Sequence, residues 1–145
     1  MISEILNPKR IILDLAASTK EEAIKEVLTL FQFPHADVIE NGILQREKLM
    51  TTGLGKGFAL PRGFVPELSE PVAALGLSKK KIDFNSLDQK PAHIILLLLF
   101  PLDFKSYSVY IAAALSLLNQ ETVRSKIPGF RSAEELLDFI KRKEV

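Results

Sequence analysis

The chain has no cysteine and no tryptophan, only two histidines, and no apolar run longer than seven residues. Each shortage removes a class of function. Without cysteine there is no disulfide framework, no thiolate nucleophile and no cysteine-ligated metal, which fits a reducing compartment. Two histidines, His35 and His93, stand far apart without a neighbouring acidic cluster, so no metal site is expected. His35 follows Pro34 in a connection between helices and reads as a solvated imidazole; His93 reads as a hydrogen-bonded structural residue before a strand. The longest apolar run, Ile94 to Phe100, falls far short of the roughly 18 residues of a membrane span. Met1-Ile2-Ser3-Glu4-Ile5-Leu6 lacks the basic and apolar regions of a secretory leader. A one-sided basic excess is missing as well. The formal charge is +1, with lysine and arginine spread from Lys9 to Lys143, which argues against a nucleic-acid partner.

What remains is an ordinary globular mixture of 47% hydrophobic and 26% charged residues in 145 positions. That length suits one domain, residues 1–145, able to bury a sizeable core unaided. The pattern alternates strands and helices. Arg10 to Leu15 reads as a strand. Ser18 with Glu21 forms a capping box, opening a helix whose Ile24, Val27, Leu28 and Phe31 share a face. Asp37 with Glu40 suggests a second box, for a helix with Val38, Ile39, Ile43 and Leu44 running to about Lys48. Phe58 to Leu60 and Pro71 to Leu77 read as strands. The run Lys79-Lys80-Lys81 reads as a solvated turn or an edge guard closing the second. Asn85 to Pro91 is turn-rich.

Ile94 to Phe100 shows almost no alternation, as expected of a strand covered on both faces and ended by Pro101. From about Ser106 a helix follows, carrying Val109, Ile111, Ala112, Leu115 and Leu118, with Ala112 to Ala114 allowing close packing. A short helix, Glu121 to Ile127, precedes Pro128-Gly129. Ser132 with Glu135 then caps a last helix carrying Leu136, Leu137, Phe139 and Ile140. The fold class expected is α/β, a mixed central sheet sandwiched between helices.

One stretch carries chemistry: Thr51-Thr52-Gly53-Leu54-Gly55-Lys56-Gly57-Phe58-Ala59-Leu60-Pro61-Arg62. Alternating glycines let backbone N–H groups approach an anion closely, with the residue after Pro61 at the mouth on a strand end. A tight structural turn is the equally valid bland reading. A P-loop is excluded, because Met50 stands where its first glycine belongs and Gly57 where its Ser/Thr belongs. A dinucleotide fingerprint is excluded too, since a helix precedes the glycines and a strand follows.

Together with Leu44-Gln45-Arg46-Glu47-Lys48, this stretch resembles the signature of enzyme IIA of the phosphoenolpyruvate-dependent sugar phosphotransferase system, in its fructose/mannitol/nitrogen-regulatory class. Pro71-Val72, Ile82-Asp83-Phe84, the apolar strand and the helix with Leu115 and Leu118 match in order. The resemblance therefore covers nearly the whole chain. It implies the enzyme IIA mannitol-type fold, a bacterial cytoplasmic setting, no cofactor, and docking to an HPr-like phosphocarrier. It also implies a phosphoacceptor histidine directly after the Ala-x-Pro element, and a second, supporting histidine near the start of the helix after the buried strand. Here the first position is Arg62 and the second falls at or next to Ser108; no histidine occurs from Leu102 to Val145.

A guanidinium stays protonated and has no free lone pair, so Arg62 cannot accept phosphate as a neutral imidazole does. The expected binding set is Arg62 with Gly53, Gly55, Gly57, Thr52 and Arg46. Three functions follow as alternatives: a regulatory module binding a phosphotransferase-system protein or other target, a working phosphocarrier using another residue, and a sensor of a small anion. The residues leave the oligomeric state open; a homo-oligomer is compatible with them.

Overall fold

The computed structural model describes residues 1–144. Its organising element is β6 (Ala92–Pro101), whose alternate side chains enter two different cores. Ile94, Leu96, Leu98 and Phe100 join one apolar cluster, and Ile95, Leu97 and Leu99 join the other. The unbroken apolar run is thus the signature of a strand with no solvent face.

Around β6 the sheet is mixed. On one side β5 (Val72–Ile82) runs antiparallel to it, and β1 (Ile11–Ile12) lies parallel to β5 at the edge. On the other side two short strands pair with β6 in succession, both parallel: β3 (Phe58–Ala59) against Ile94–Ile95, then β4 (Arg62–Val65) from Leu98 to Pro101. β2 (Gly53–Gly55) pairs antiparallel with β3 beyond it. One face is covered by α2 (Lys20–Leu28) and α3 (Ala36–Leu49), which bury Ile24, Val27, Ile39 and Ile43. The other is covered by α1 (Ile2–Ile5), α4 (Tyr107–Leu118), α5 (Glu121–Lys126) and α6 (Ala133–Lys143). This is the expected mixed sheet between helical layers.

Several local expectations shift. The first strand is only Ile11–Ile12, because Asn7 caps a 3₁₀ turn over Pro8–Arg10 that takes Arg10 out of it. The first capping box is formed by Thr19 and Glu22, one residue after the expected Ser18 and Glu21. Either pair satisfies the spacing rule, and the residue that turns extended first wins. That helix ends at Leu28, and Phe31 lies in the following 3₁₀ turn, stacked on Phe33 at 5.3 Å. Asp37 and Glu40 do not cap α3, which starts one residue earlier at Ala36 with no side-chain cap. Ser132 accepts the Glu135 amide, but its hydroxyl pairs with Glu134, so the last box is half formed.

The lysine run does not close β5: the strand continues through it to Ile82. In α4 the buried residues are Ala114, Leu117 and Leu118, while Val109 is 64% exposed. That helix is apolar all round and offers little phase to read. The α1, β2 and β4 elements were not anticipated. Arg62 accordingly opens a new strand instead of following the end of β3.

Near the end of β6, Phe100 is surrounded by Phe64, Phe104, Tyr107 and Tyr110, with ring centroids 5.9–6.0 Å away. This cluster joins β4, β6 and α4 beside Arg62. Phe100→Ala is expected to cost about 3–5 kcal/mol of folding stability, as for other buried aromatic truncations. Chemical denaturation measures it, and a loss below about 1 kcal/mol would contradict the shared packing.

Candidate functional site around Arg62

The last turn of α3 places Arg46 and Glu47 at the edge of the sheet. Glu47 is a buried carboxylate, 4% exposed. Both its oxygens lie 3.2 Å from the Thr52 amide, and Lys20 Nζ is 3.9 Å from Oε1. A buried charge is tolerated only with such partners. The contact pins the α3–β2 connection. The Thr52 carbonyl then accepts the Leu60 amide at 3.1 Å, and the Pro61 carbonyl accepts the Leu98 amide at 2.9 Å. These bonds lay the chain along β6 and set Arg62 opposite Leu98.

Arg62 is half-buried. Its Nε is buried and has no hydrogen-bond partner among the described residues, and the same holds for the Thr52 hydroxyl. Such atoms are rare in folded proteins and mark places worth explaining. Burial first, then the neighbouring Arg46 charge, pull the Arg62 guanidinium below its ordinary pKa, while Glu47 and Tyr107 oppose them. Arginine nevertheless remains a cation throughout the physiological range. The Arg46 guanidinium lies over the Phe64 ring, 5.1 Å from its centroid. Two positive groups therefore face one another, and the nearby carboxylate is already engaged by Thr52 and Lys20.

Of the expected binding residues, the structure brings Arg62, Arg46 and Thr52 together around Glu47. Ser108 lies exposed in the first turn of α4. From that helix the preceding Tyr107 packs beside this site, its ring edge-on to Phe64 at 5.7 Å.

The glycines do something else. A side chain at Gly57 (φ +83°) would run into the His93 ring, and Gly55 sits at φ +104° against Asp88. The Lys56 amide donates to the Asp88 carboxylate at 3.0 Å, and the Gly53 amide to the Thr51 hydroxyl at 3.0 Å. The Gly57 carbonyl accepts the amides of His93 and Ile94. The expected anion cradle is thus a β2–β3 turn whose anion is the chain's own Asp88. It lies along β6 from Arg62, because β3 pairs with Ile94–Ile95 and Arg62 with Leu98.

Sequence reasoning missed Phe64 and the groove it lines. A cavity of about 530 Å³ runs between α3 and β4, bordered by Val38, Ile43, Arg46, Gly63, Phe64 and Leu102. Val38 is 64% and Leu102 53% exposed. Val38 reads from the sequence only as one of the apolar residues of this helix, and apolar character alone gives no sign of an outward face.

A mixed sheet between two helical layers, with an electrostatic site where α3 meets the start of β4, defines an enzyme IIA-type protein. Residues 4–143 match the family "Phosphoenolpyruvate-dependent sugar phosphotransferase system, EIIA 2". The chain belongs to that family. It is 32% identical over 144 residues to the fructose-specific EIIA component of Haloferax volcanii, covering 96% of this chain and 94% of that protein. It is 28% identical to the fructose-specific EIIABC component of Bacillus subtilis, covering 96% of this chain but only 23% of that longer protein. Among solved structures, the nitrogen regulatory protein IIA-Ntr from Neisseria meningitidis superposes with a TM-score of 0.85 at 29% identity, covering 96% of this chain and 98% of that one.

Two outcomes test this geometry. Gly57→Ala should lose about 1–3 kcal/mol, since it combines a positive φ with a clash on a packed ring; unchanged thermal stability would remove the assigned turn role. His93 is held below its ordinary pKa by burial, then by Lys81 and Arg124. A depressed folded pKa means the unfolded chain binds the proton first. The stability involved is complete above about pH 6.5 and is lost as pH falls through the lower folded value. Denaturation of wild type and His93→Gln across pH 5–8 should show that loss only in wild type.

Proposed function

We propose that this EIIA-family protein is a regulatory binding module that does not take phosphate at position 62. Phosphotransferase-system EIIA proteins act with other components of that system, and the partner inferred here is one of them, an HPr-like carrier, or a protein it regulates. The observation that carries the reading is Arg62 itself. A half-buried cation coupled to Arg46 and Tyr107 stands where the resemblance places the phosphoacceptor. Transfer to it would require a nitrogen lone pair that guanidinium lacks. The groove beside it, with Val38, Phe64 and Leu102, supplies apolar area for a partner, and Arg46 and Arg62 supply positive charge. Such a site resembles a permanently unphosphorylated EIIA, or one that attracts a phosphorylated partner without accepting its phosphate. The setting inferred is the bacterial cytoplasm; among the described residues no helix is long and apolar enough to cross a membrane.

A second reading is favoured by the unpartnered Arg62 Nε: a small anion bound between Arg62 and Arg46. Calorimetry with inorganic phosphate should then give saturable binding that Arg62→Gln weakens about tenfold or more, the scale of one lost charge-assisted hydrogen bond. No saturation at millimolar phosphate would dismiss it.

The main test is incubation with phosphoenolpyruvate, enzyme I and HPr, followed by intact-mass measurement. The wild type should remain unmodified, and one phosphate per chain would overturn the proposal. Arg62→His should restore slow acceptance. Because the Tyr107 ring packs on Phe64 beside Arg62 while Ser108 is exposed, adding Tyr107→His should accelerate transfer more than adding Ser108→His. The reverse order would show that Ser108 marks the supporting position.

A further inference from the structure

The ladder between β5 and β6 is interrupted once. Leu77 pairs with Ile94 and Ile82 with Ala92, so the four residues Ser78 to Lys81 stand opposite the single residue His93. Bulges of this kind re-aim side chains and collect near functional sites. This one sends its lysines apart. Lys79 Nζ lies 3.9 Å from the Asp14 carboxylate, and Lys80 Nζ donates to the Ala16 carbonyl at 2.8 Å. Lys81, with a left-handed φ of +58°, turns instead toward His93.

There it lines a cavity of about 340 Å³ with Lys56, Lys90 and His93. Four separate pieces of chain supply these groups: the β2–β3 turn, the β5 bulge, the turn before β6, and β6 itself. Lys56 is also held at a left-handed φ, +60°. Among the described residues, none of the three lysines lies within 4.0 Å of a carboxylate. The neighbouring acid, Asp88, accepts the amides of Lys56 and Lys90 at 3.0 Å each. Lys56 Nζ touches only the neutral Asn119 side chain, at 3.4 Å. Arg124 adds a fourth positive charge to the surroundings of His93. Asp88 offsets one of these charges, and the concave site that remains is net positive and concentrates anions.

We propose that this cavity binds an anion carrying two adjacent phosphates, the chemistry shared by inorganic pyrophosphate and nucleoside diphosphates, held by Lys56, Lys81 and Lys90 with His93 hydrogen-bonding from the floor. Lys56, Lys81, Lys90 and Arg124 less the Asp88 carboxylate leave three positive charges, four minus one; a terminal phosphate brings roughly 1.5 to 2 negative charges, so a single one leaves the site under-compensated and a pair matches it. The site is separate from Arg62. His93 and Leu98, the partner of Arg62, are five residues apart on β6, about 16 Å at roughly 3.3 Å per residue.

The test is calorimetry on the full chain at low ionic strength with pyrophosphate, orthophosphate, ADP and AMP. Pyrophosphate should bind saturably and more tightly than orthophosphate. Lys81→Ala/Lys90→Ala should weaken it at least about tenfold, as expected when charge-assisted hydrogen bonds are lost. Arg62→Ala should retain binding. In a pH titration by NMR, pyrophosphate should raise the His93 pKa and leave His35 in place. ADP binding as tightly as pyrophosphate assigns a nucleotide; pyrophosphate binding without ADP assigns the free ion. The proposal is overturned by no saturation at millimolar pyrophosphate, by orthophosphate binding as tightly as pyrophosphate, by AMP binding as tightly as a bound ADP, or by an unmoved His93. It is also overturned if Arg62→Ala abolishes binding while the double lysine variant keeps it.

Discussion

Burial of β6 on both faces is the constraint from which the rest of the molecule follows. A strand with no solvent side must be hydrogen-bonded along both edges and covered by helices above and below. Its seven consecutive large apolar residues meet that demand by dividing between two cores, four on one face and three on the other. Everything that touches the candidate site is measured from this strand. Arg62 is where it is because β4 pairs with β6 from Leu98 onward, and His93 is where it is because β5 bulges opposite it.

Around Arg62 the organising group is Glu47. Its carboxylate is withdrawn from water and devoted to the Thr52 amide, with Lys20 nearby. That arrangement has a chemical consequence. The one acid close to Arg62 serves the backbone, so the site keeps a net positive character shared between Arg46 and Arg62. An imidazole in the same place would gain and lose its charge near neutral pH, while a guanidinium offers a constant field.

Much of the architecture was legible. The capped helices, the doubly buried strand and the final amphipathic helix were read from residue spacing, because burial on a defined face imposes a period. Misreadings fell where the period is silent. α4 is apolar all round, so its spacing singles out no inward face, and Val109 is exposed. Ser18 and Thr19 are equivalent caps by composition, and only backbone conformation separates them. β2 and β4 are too short to display alternation; they exist because β6 and β3 have edges to fill. Phe64 escaped notice since one aromatic in a short strand has no pattern, and Tyr107 was overshadowed by the adjacent Ser108.

The residues alone determined the class of fold, the absence of thiol and histidine-cluster chemistry, and the cation at position 62, because these depend on side-chain identity and on local periodicity. Tertiary structure decided which groups meet. It turned the glycine run from an anion cradle into a packed turn closed by Asp88, gathered Arg46, Arg62, Thr52 and Tyr107 from three distant segments, and faced Lys81 toward His93. Contacts of that kind are set by strand register, which is a property of the whole sheet, so no local stretch of sequence contains them.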